Sequence, residues 1–157
     1  MLRIEISYRH YNGDYDIGSI FEEKYSFEID ESICYSNSIK SFCNNEDFGG
    51  NILSNVNVSI PFILTKNNIQ RIVDITDNIQ SNSNYLYNES HYKRDSFDFN
   101  RYNYIDILIN ETSYELSIKD DEVIINEIKE LLKINKIDEI LNNSINNIIS
   151  MSGDYNE

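Results

Sequence analysis

Leu2, Ile4, Ile6 and Tyr8 alternate with Arg3, Glu5, Ser7 and Arg9 at the start of the chain. A hydropathy period of two lays one face of an extended strand on a core and leaves the other to water. The pattern returns at Tyr25, Phe27 and Ile29 against Ser26, Glu28 and Asp30, which predicts a second strand antiparallel to the first, and again at Val56, Val58, Ile60 and Phe62. Pro61 falls on the polar side of this third strand. A proline cannot donate a ladder hydrogen bond, so the strand is expected at an edge or ending there. Ile105, Ile107 and Ile109, a turn at Asn110-Glu111-Thr112-Ser113, and Tyr114, Leu116 and Ile118 predict a hairpin.

The period changes twice. After Thr65, a candidate N-cap, Ile69, Ile72, Val73, Thr76 and Ile79 form a helical stripe. After the acid-rich Lys119-Asp120-Asp121-Glu122, suited to the positive end of a helix dipole, Ile124, Ile125, Ile128, Leu131 and Leu132 form another. Ile137, Ile140, Leu141, Ile145, Ile148 and Ile149 continue it, with Gly153 as a stop and Ile134-Asn135-Lys136 as either a bend or continuous helix. Residues 31–51, rich in Ser, Asn and Gly, read as a long loop. The expectation is an α+β fold: an antiparallel sheet of about five strands, one inserted helix and a C-terminal helical segment packed on one face. With no repeat or linker, residues 1–157 read as a single domain, long enough to bury roughly 68 to 70% of the unfolded surface.

Apolar residues make up 40% of the chain and charged ones 25%, a globular balance that excludes the disordered class. Abundant Ile, Asn, Tyr and Lys with no Ala or Trp point to A/T-rich codons, and in so much Asn the sequons at Asn57, Asn88, Asn110 and Asn142 are expected by chance. The N-terminus alternates where a signal peptide would run apolar, and no stretch nears the ~20 apolar residues of a membrane span. A cytoplasmic location is expected. There Cys34 and Cys43 stay free thiols, with too few other Cys and His nearby to complete a metal site.

The formal charge is −14, from 13 basic and 27 acidic side chains. Such a chain repels phosphate backbones and anionic lipid, so neither nucleic acid nor membrane is expected as a partner, and a basic protein is. Residues 11–65 carry nine acids, Asp14, Asp16, Glu22, Glu23, Glu28, Asp30, Glu31, Glu46 and Asp47, against Lys24 and Lys40. Half the net charge thus lies in about a third of the chain, interspersed with Tyr11, Tyr15, Phe21, Tyr35 and Phe48. Acids steer a basic partner and aromatics supply anchor area. The candidate contact set is these nine acids with Tyr15 and Phe48; the competing reading scatters the acids over a solvated surface.

Tyr11–Glu23 also sets Asn12, Asp14, Asp16 and Glu23 at places one, three, five and twelve of a calcium loop. An EF-hand needs Gly at place six and flanking helices; here that place is Ile17, Gly18 follows, and strands flank. A hairpin connection with Asn12-Gly13 in its turn is the plainer reading, ahead of a non-EF-hand cation site built from Asp14, Asp16, Glu22 and Glu23, so no metal and no cofactor is expected. The basic island His91-Tyr92-Lys93-Arg94 is too small for a nucleic-acid surface. His10 and His91 lie in no nucleophile motif, and no phosphate-binding loop or dinucleotide fingerprint occurs. These features together point to a non-enzymatic, acidic protein-binding module of inhibitor or immunity type that occludes a basic surface. An assembly subunit using a sheet edge or the C-terminal helices, including a homo-oligomer, is the alternative, and a small hydrolase built from a dispersed Cys, His and acid is third.

Overall fold

The computed structural model describes residues 1–12, 19–44, 52–87 and 103–154. It is an α+β fold with one six-stranded antiparallel sheet. In chain order the strands are β1 (Leu2–Asn12), β2 (Ser19–Asp30), β3 (Ile33–Asn44), β4 (Ile52–Ile63), β5 (Tyr104–Ile109) and β6 (Thr112–Ser117); the helices are α1 (Lys66–Ser81), α2 (Glu122–Leu131) and α3 (Ile134–Asp154). The spatial order is β4-β3-β2-β1-β5-β6, every neighbouring pair being antiparallel.

The register explains the core. Ile4, Phe27, Ser36 and Ile60 face one another across β1 to β4, as do Ile6, Tyr25, Ser38 and Val58. On the other flank Ile4 meets Ile109 and Ile6 meets Ile107. All three helices pack on this inner face. Thr65 caps α1, accepting from the Asn68 N–H at 3.1 Å, and turns Ile72, Ile75 and Ile79 onto Ile4, Ile107 and Ile109. Arg71 donates from Nε and Nη2 to the two Glu127 carboxylate oxygens and joins α1 to α2. α3 lies over β3 and β4, burying Ile134, Ile137 and Leu141.

Residues 31–51, expected as a loop, contain a twelve-residue strand. β3 spans Ile33–Asn44 and pairs along its whole length with β2. It escapes the alternation rule because its inner row is Cys34, Ser36, Ser38 and Lys40, small or polar groups that give no apolar period. Those small side chains leave room for the helix above, and the Ser36 hydroxyl satisfies itself by donating to the Ile60 carbonyl at 2.8 Å. The sheet accordingly has six strands where about five were expected.

The break between the last two helices is a bend. Lys133 adopts φ 56 after α2, and α3 begins at the next residue. Gly153 lies inside α3 instead of past its end. Pro61 sits on β4, which is an edge strand, as its missing donor requires.

Ile79 is fully buried beneath α1, and truncating it leaves a cavity the sheet cannot close. Ile79→Ala is expected to cost roughly 2–5 kcal/mol, and loss of the cap in Thr65→Ala about 1 kcal/mol, by chemical denaturation. An unchanged Ile79→Ala midpoint would contradict the packing of α1 on β1 and β5.

Candidate functional site

Strand alternation decides where each expected contact residue goes. On β2 the even positions, Glu22, Lys24, Ser26, Glu28 and Asp30, look away from the helices, and the odd positions Tyr25, Phe27 and Ile29 look into the core. Glu23 is odd. It is only 8% exposed and points inward, so it leaves the acidic contact set and becomes part of the core. The remaining described acids divide between two ends of the sheet. Glu22 lies toward the end where Asn12, Ser19 and Asn44 are aligned, while Glu28, Asp30 and Glu31 lie at the β2–β3 turn, roughly 25 Å away along the strand. Asp14, Tyr15, Asp16, Glu46, Asp47 and Phe48 lie outside the described residues.

At the β2–β3 turn the outward face carries apolar groups as well. Tyr35 is 51% exposed, Ile63 77% and Ile33 38%. Ile33 is directly across from Ile63, and Tyr35 from Pro61. On their other side Ile33 faces Asp30 and Tyr35 faces Glu28. Glu31, in the turn, is exposed at φ 54. One corner of the helix-free face thus combines an aromatic and two isoleucines with three carboxylates. Arg3 offsets Glu28 at 3.6 Å, both partners being well exposed, so this pair contributes little fixed structure.

Beneath the opposite end of the sheet, on the inner face, Glu23 takes part in a cluster centred on Lys40. The Lys40 ammonium reaches Glu23 Oε1 at 2.6 Å, Asp138 Oδ1 at 3.0 Å and Asn142 Oδ1 at 2.6 Å. An ammonium has three donors, and here each has its own acceptor. The Tyr25 hydroxyl donates to Asp138 at 3.1 Å, Asn142 donates to the other Asp138 oxygen at 3.3 Å, and Tyr8 stands edge-on to Tyr25 with Lys129 over its ring at 5.0 Å. Burial pulls the Lys40 pKa down, but hydrogen bonds and charge from Glu23 and Asp138 outweigh it and hold the value above that of an ordinary lysine. Burial, reinforced by the Glu23 and Asp138 charges, raises both Tyr8 and Tyr25. These three shifts each move the group further from neutral pH, which suits holding α3 to the sheet.

Cys34 and Cys43 sit near opposite ends of β3, about 30 Å apart, far beyond disulfide or shared-ligand reach. Cys34 is fully buried, and burial pushes its thiol up to about 12, so it is no thiolate nucleophile at neutral pH. His91 lies outside the described residues. The calcium-loop spacing meets strands on both sides, and its twelfth-place Glu23 is bonded to Lys40. Among the described residues no His, Cys, Asp and Glu are grouped to hold a metal ion. A polar recess of about 330 Å3 lies between Tyr85, Tyr104, Glu115, Asp120 and Asp121. Its Asp121 already accepts from the Ser117 N–H at 2.8 Å and from Tyr85. No described helix is long and apolar enough to cross a membrane.

No protein-family model matches the chain, and no curated protein or solved structure is significantly similar to it.

Two outcomes follow from the Lys40 cluster. Lys40→Met leaves Glu23 and Asp138 without their counter-ion and is expected to cost about 3–5 kcal/mol by denaturant titration. The raised tyrosines set a second. Between pH 10 and their higher native values the unfolded chain releases protons that the native one keeps, so stability is full below about pH 10 and falls as pH rises. Lys40, also raised, acts in the same direction. Melting curves from pH 8 to 11 are expected to show that alkaline loss in the wild type and a shallower slope in Tyr8→Phe/Tyr25→Phe; equal slopes would contradict the assignment.

Proposed function

We propose that this chain is a non-enzymatic binding module that presents the open face of its sheet to a basic partner protein, in the manner of an inhibitor or immunity-type protein that occludes its target. The observation that carries this reading is the corner at the β2–β3 turn, where exposed Tyr35, Ile33 and Ile63 lie beside Glu28, Asp30 and Glu31. Protein contacts concentrate their energy in a few aromatic and aliphatic anchors, and surrounding charge selects the partner and speeds encounter. Here the anchors and the charge share one surface. The helices occupy the other face, so the corner is held by a stiff sheet and loses little entropy on binding.

The net charge of −14 favours a positively charged partner over distances of about a Debye length, ~8 Å at physiological salt. A cytoplasmic setting fits the buried, unpaired Cys34. The resting ionisation of Lys40, Tyr8 and Tyr25 is consistent with a protein whose task is contact and not turnover.

Tyr35→Ala is expected to weaken the complex by about 2 kcal/mol or more, roughly 30-fold. Glu28→Lys/Asp30→Lys/Glu31→Lys is expected to slow association and weaken its salt dependence. The measurement is surface-immobilised binding to a basic protein recovered from the source cell by the wild type. A recovered partner that binds both variants as tightly as the wild type would place the contact elsewhere.

A further inference from the structure

The two edges of the sheet are treated differently. At the β6 edge, Leu86 bridges to Tyr114 and the Tyr87 N–H donates to the Ser113 carbonyl at 3.4 Å, so a neighbouring segment already occupies part of that edge. β4 forms the opposite edge, and among the described residues no strand lies outside it.

The direction of the vacant groups on β4 follows from two facts. Pro61 lies opposite Tyr35, and a proline in a bonded pair would lack its donor, so its carbonyl points away from β3. The Leu64 N–H donates to the Ser32 carbonyl at 2.8 Å, which fixes even-numbered residues as the ones bonded to β3. Asn55, Asn57 and Ser59 therefore present both backbone N–H and C=O outward. This window is bounded at one end by the register shift opposite Phe42 and Cys43 and at the other by Pro61. It is centred on Asn57.

Charge decides what can lie against it. Natural edge strands are usually protected by charged side chains, lysine above all. β4 has none: no charged residue occurs between Asp47 and Lys66, in a chain whose net charge is −14. The open face repeats this division. The outward side chains of β1 and β2 include Arg3, Glu5, Lys24, Glu28 and Asp30, whereas those of β3 and β4 include Tyr35, Asn37, Ile39, Asn57, Ser59 and Pro61. Two copies of so acidic a chain repel wherever their acids meet, and β4 is the sheet border along which no acid is present.

We infer that β4 is a self-association edge, at which a second copy of this chain adds its own β4 antiparallel about a two-fold axis through Asn57. That axis sets Asn57 against Asn57 of the second copy and Asn55 against Ser59, so every outward N–H and C=O in the window gains a partner. Because the window is symmetric about its centre, one strand supplies both halves of the contact, as a two-fold interface requires. Val56 and Val58 meet on the helix side of the seam. A two-fold perpendicular to the sheet keeps both open faces on the same side, so the dimer carries two copies of the Tyr35 corner facing one way. Self-pairing is independent of the basic-partner reading, since it uses the strand edge and not the corner.

Sedimentation equilibrium of the purified full chain tests this. The wild type is expected to dimerise, with the Asn57 and Ser59 amides protected from hydrogen exchange at high concentration and exposed at low. Asn57→Pro/Ser59→Pro removes only outward donors, because neither N–H bonds β3. It is expected to raise the dissociation constant roughly 100-fold or more with the monomer still folded. Asn57→Lys/Ser59→Lys, which retains every backbone donor and adds edge charge, is expected to give a folded monomer and serves if the proline variant fails to fold. A wild type that sediments as a monomer at its highest soluble concentration overturns the inference, including one whose edge takes a foreign strand instead. A dimer that survives the lysine pair also overturns it, by placing the interface elsewhere.

Discussion

The Lys40 ammonium, saturated by Glu23, Asp138 and Asn142, is the contact on which the arrangement of this protein depends. It sits 11% exposed on the inner face of β3, one strand in from the edge, where an unpaired cation would be far too costly to keep. Its three acceptors come from β2 and from two successive turns of α3. The position of α3 over the sheet and the register of β3 against β2 are thereby fixed at the same atom. Sliding β3 by one residue would turn Lys40 to solvent and leave Glu23 buried beside Tyr25 without a counter-ion. A strand whose inner row is otherwise Cys34, Ser36 and Ser38 has little apolar pattern to hold its register, so here the ion cluster does what alternating valines do elsewhere.

That constraint also divides the molecule into a covered and an open face. With α1, α2 and α3 committed to the inner surface, the outward side chains of β1 to β4 remain available, and they differ along the sheet. Arg3 with Glu28 and Lys24 with Glu5 form exposed cross-strand pairs on β1 and β2. β3 and β4 offer neutral and apolar groups. Tyr35 and Ile33 lie on the boundary between these halves, which is why one corner can offer both anchors and charge.

Strands with large apolar inner rows were legible in the sequence. β1, β2, β4 and the β5–β6 hairpin each alternate, and α1, α2 and α3 show spacings of three and four. β3 was not legible, because Cys34, Ser36 and Ser38 look like loop residues until a helix is seen to need the space they leave. The fate of Glu23 was hidden for a related reason. Its partner is Lys40, seventeen positions along the chain, whose second carboxylate, Asp138, lies more than a hundred positions away, and a count of acids in a window cannot distinguish a solvated carboxylate from a bonded one. The window from 11 to 65 therefore overstated its acidic surface: Glu22 and the Glu28, Asp30 and Glu31 group are at different ends of the sheet, and Glu23 is inside.

The same reasoning links the buried cation to the neutral edge. Lys40 is the only cation on β3, and the fold spends it in the core, where it offsets Glu23 and Asp138. No positive charge then remains on the outward side of β3 or on β4 to balance an acid placed there. A carboxylate on the outward side of β4 would add to the repulsion of the acidic surface without a near counter-ion, whereas uncharged Asn57 and Ser59 do not. An interior that draws its counter-charge from the strand next to the edge therefore favours a border beside it that carries no charge at all.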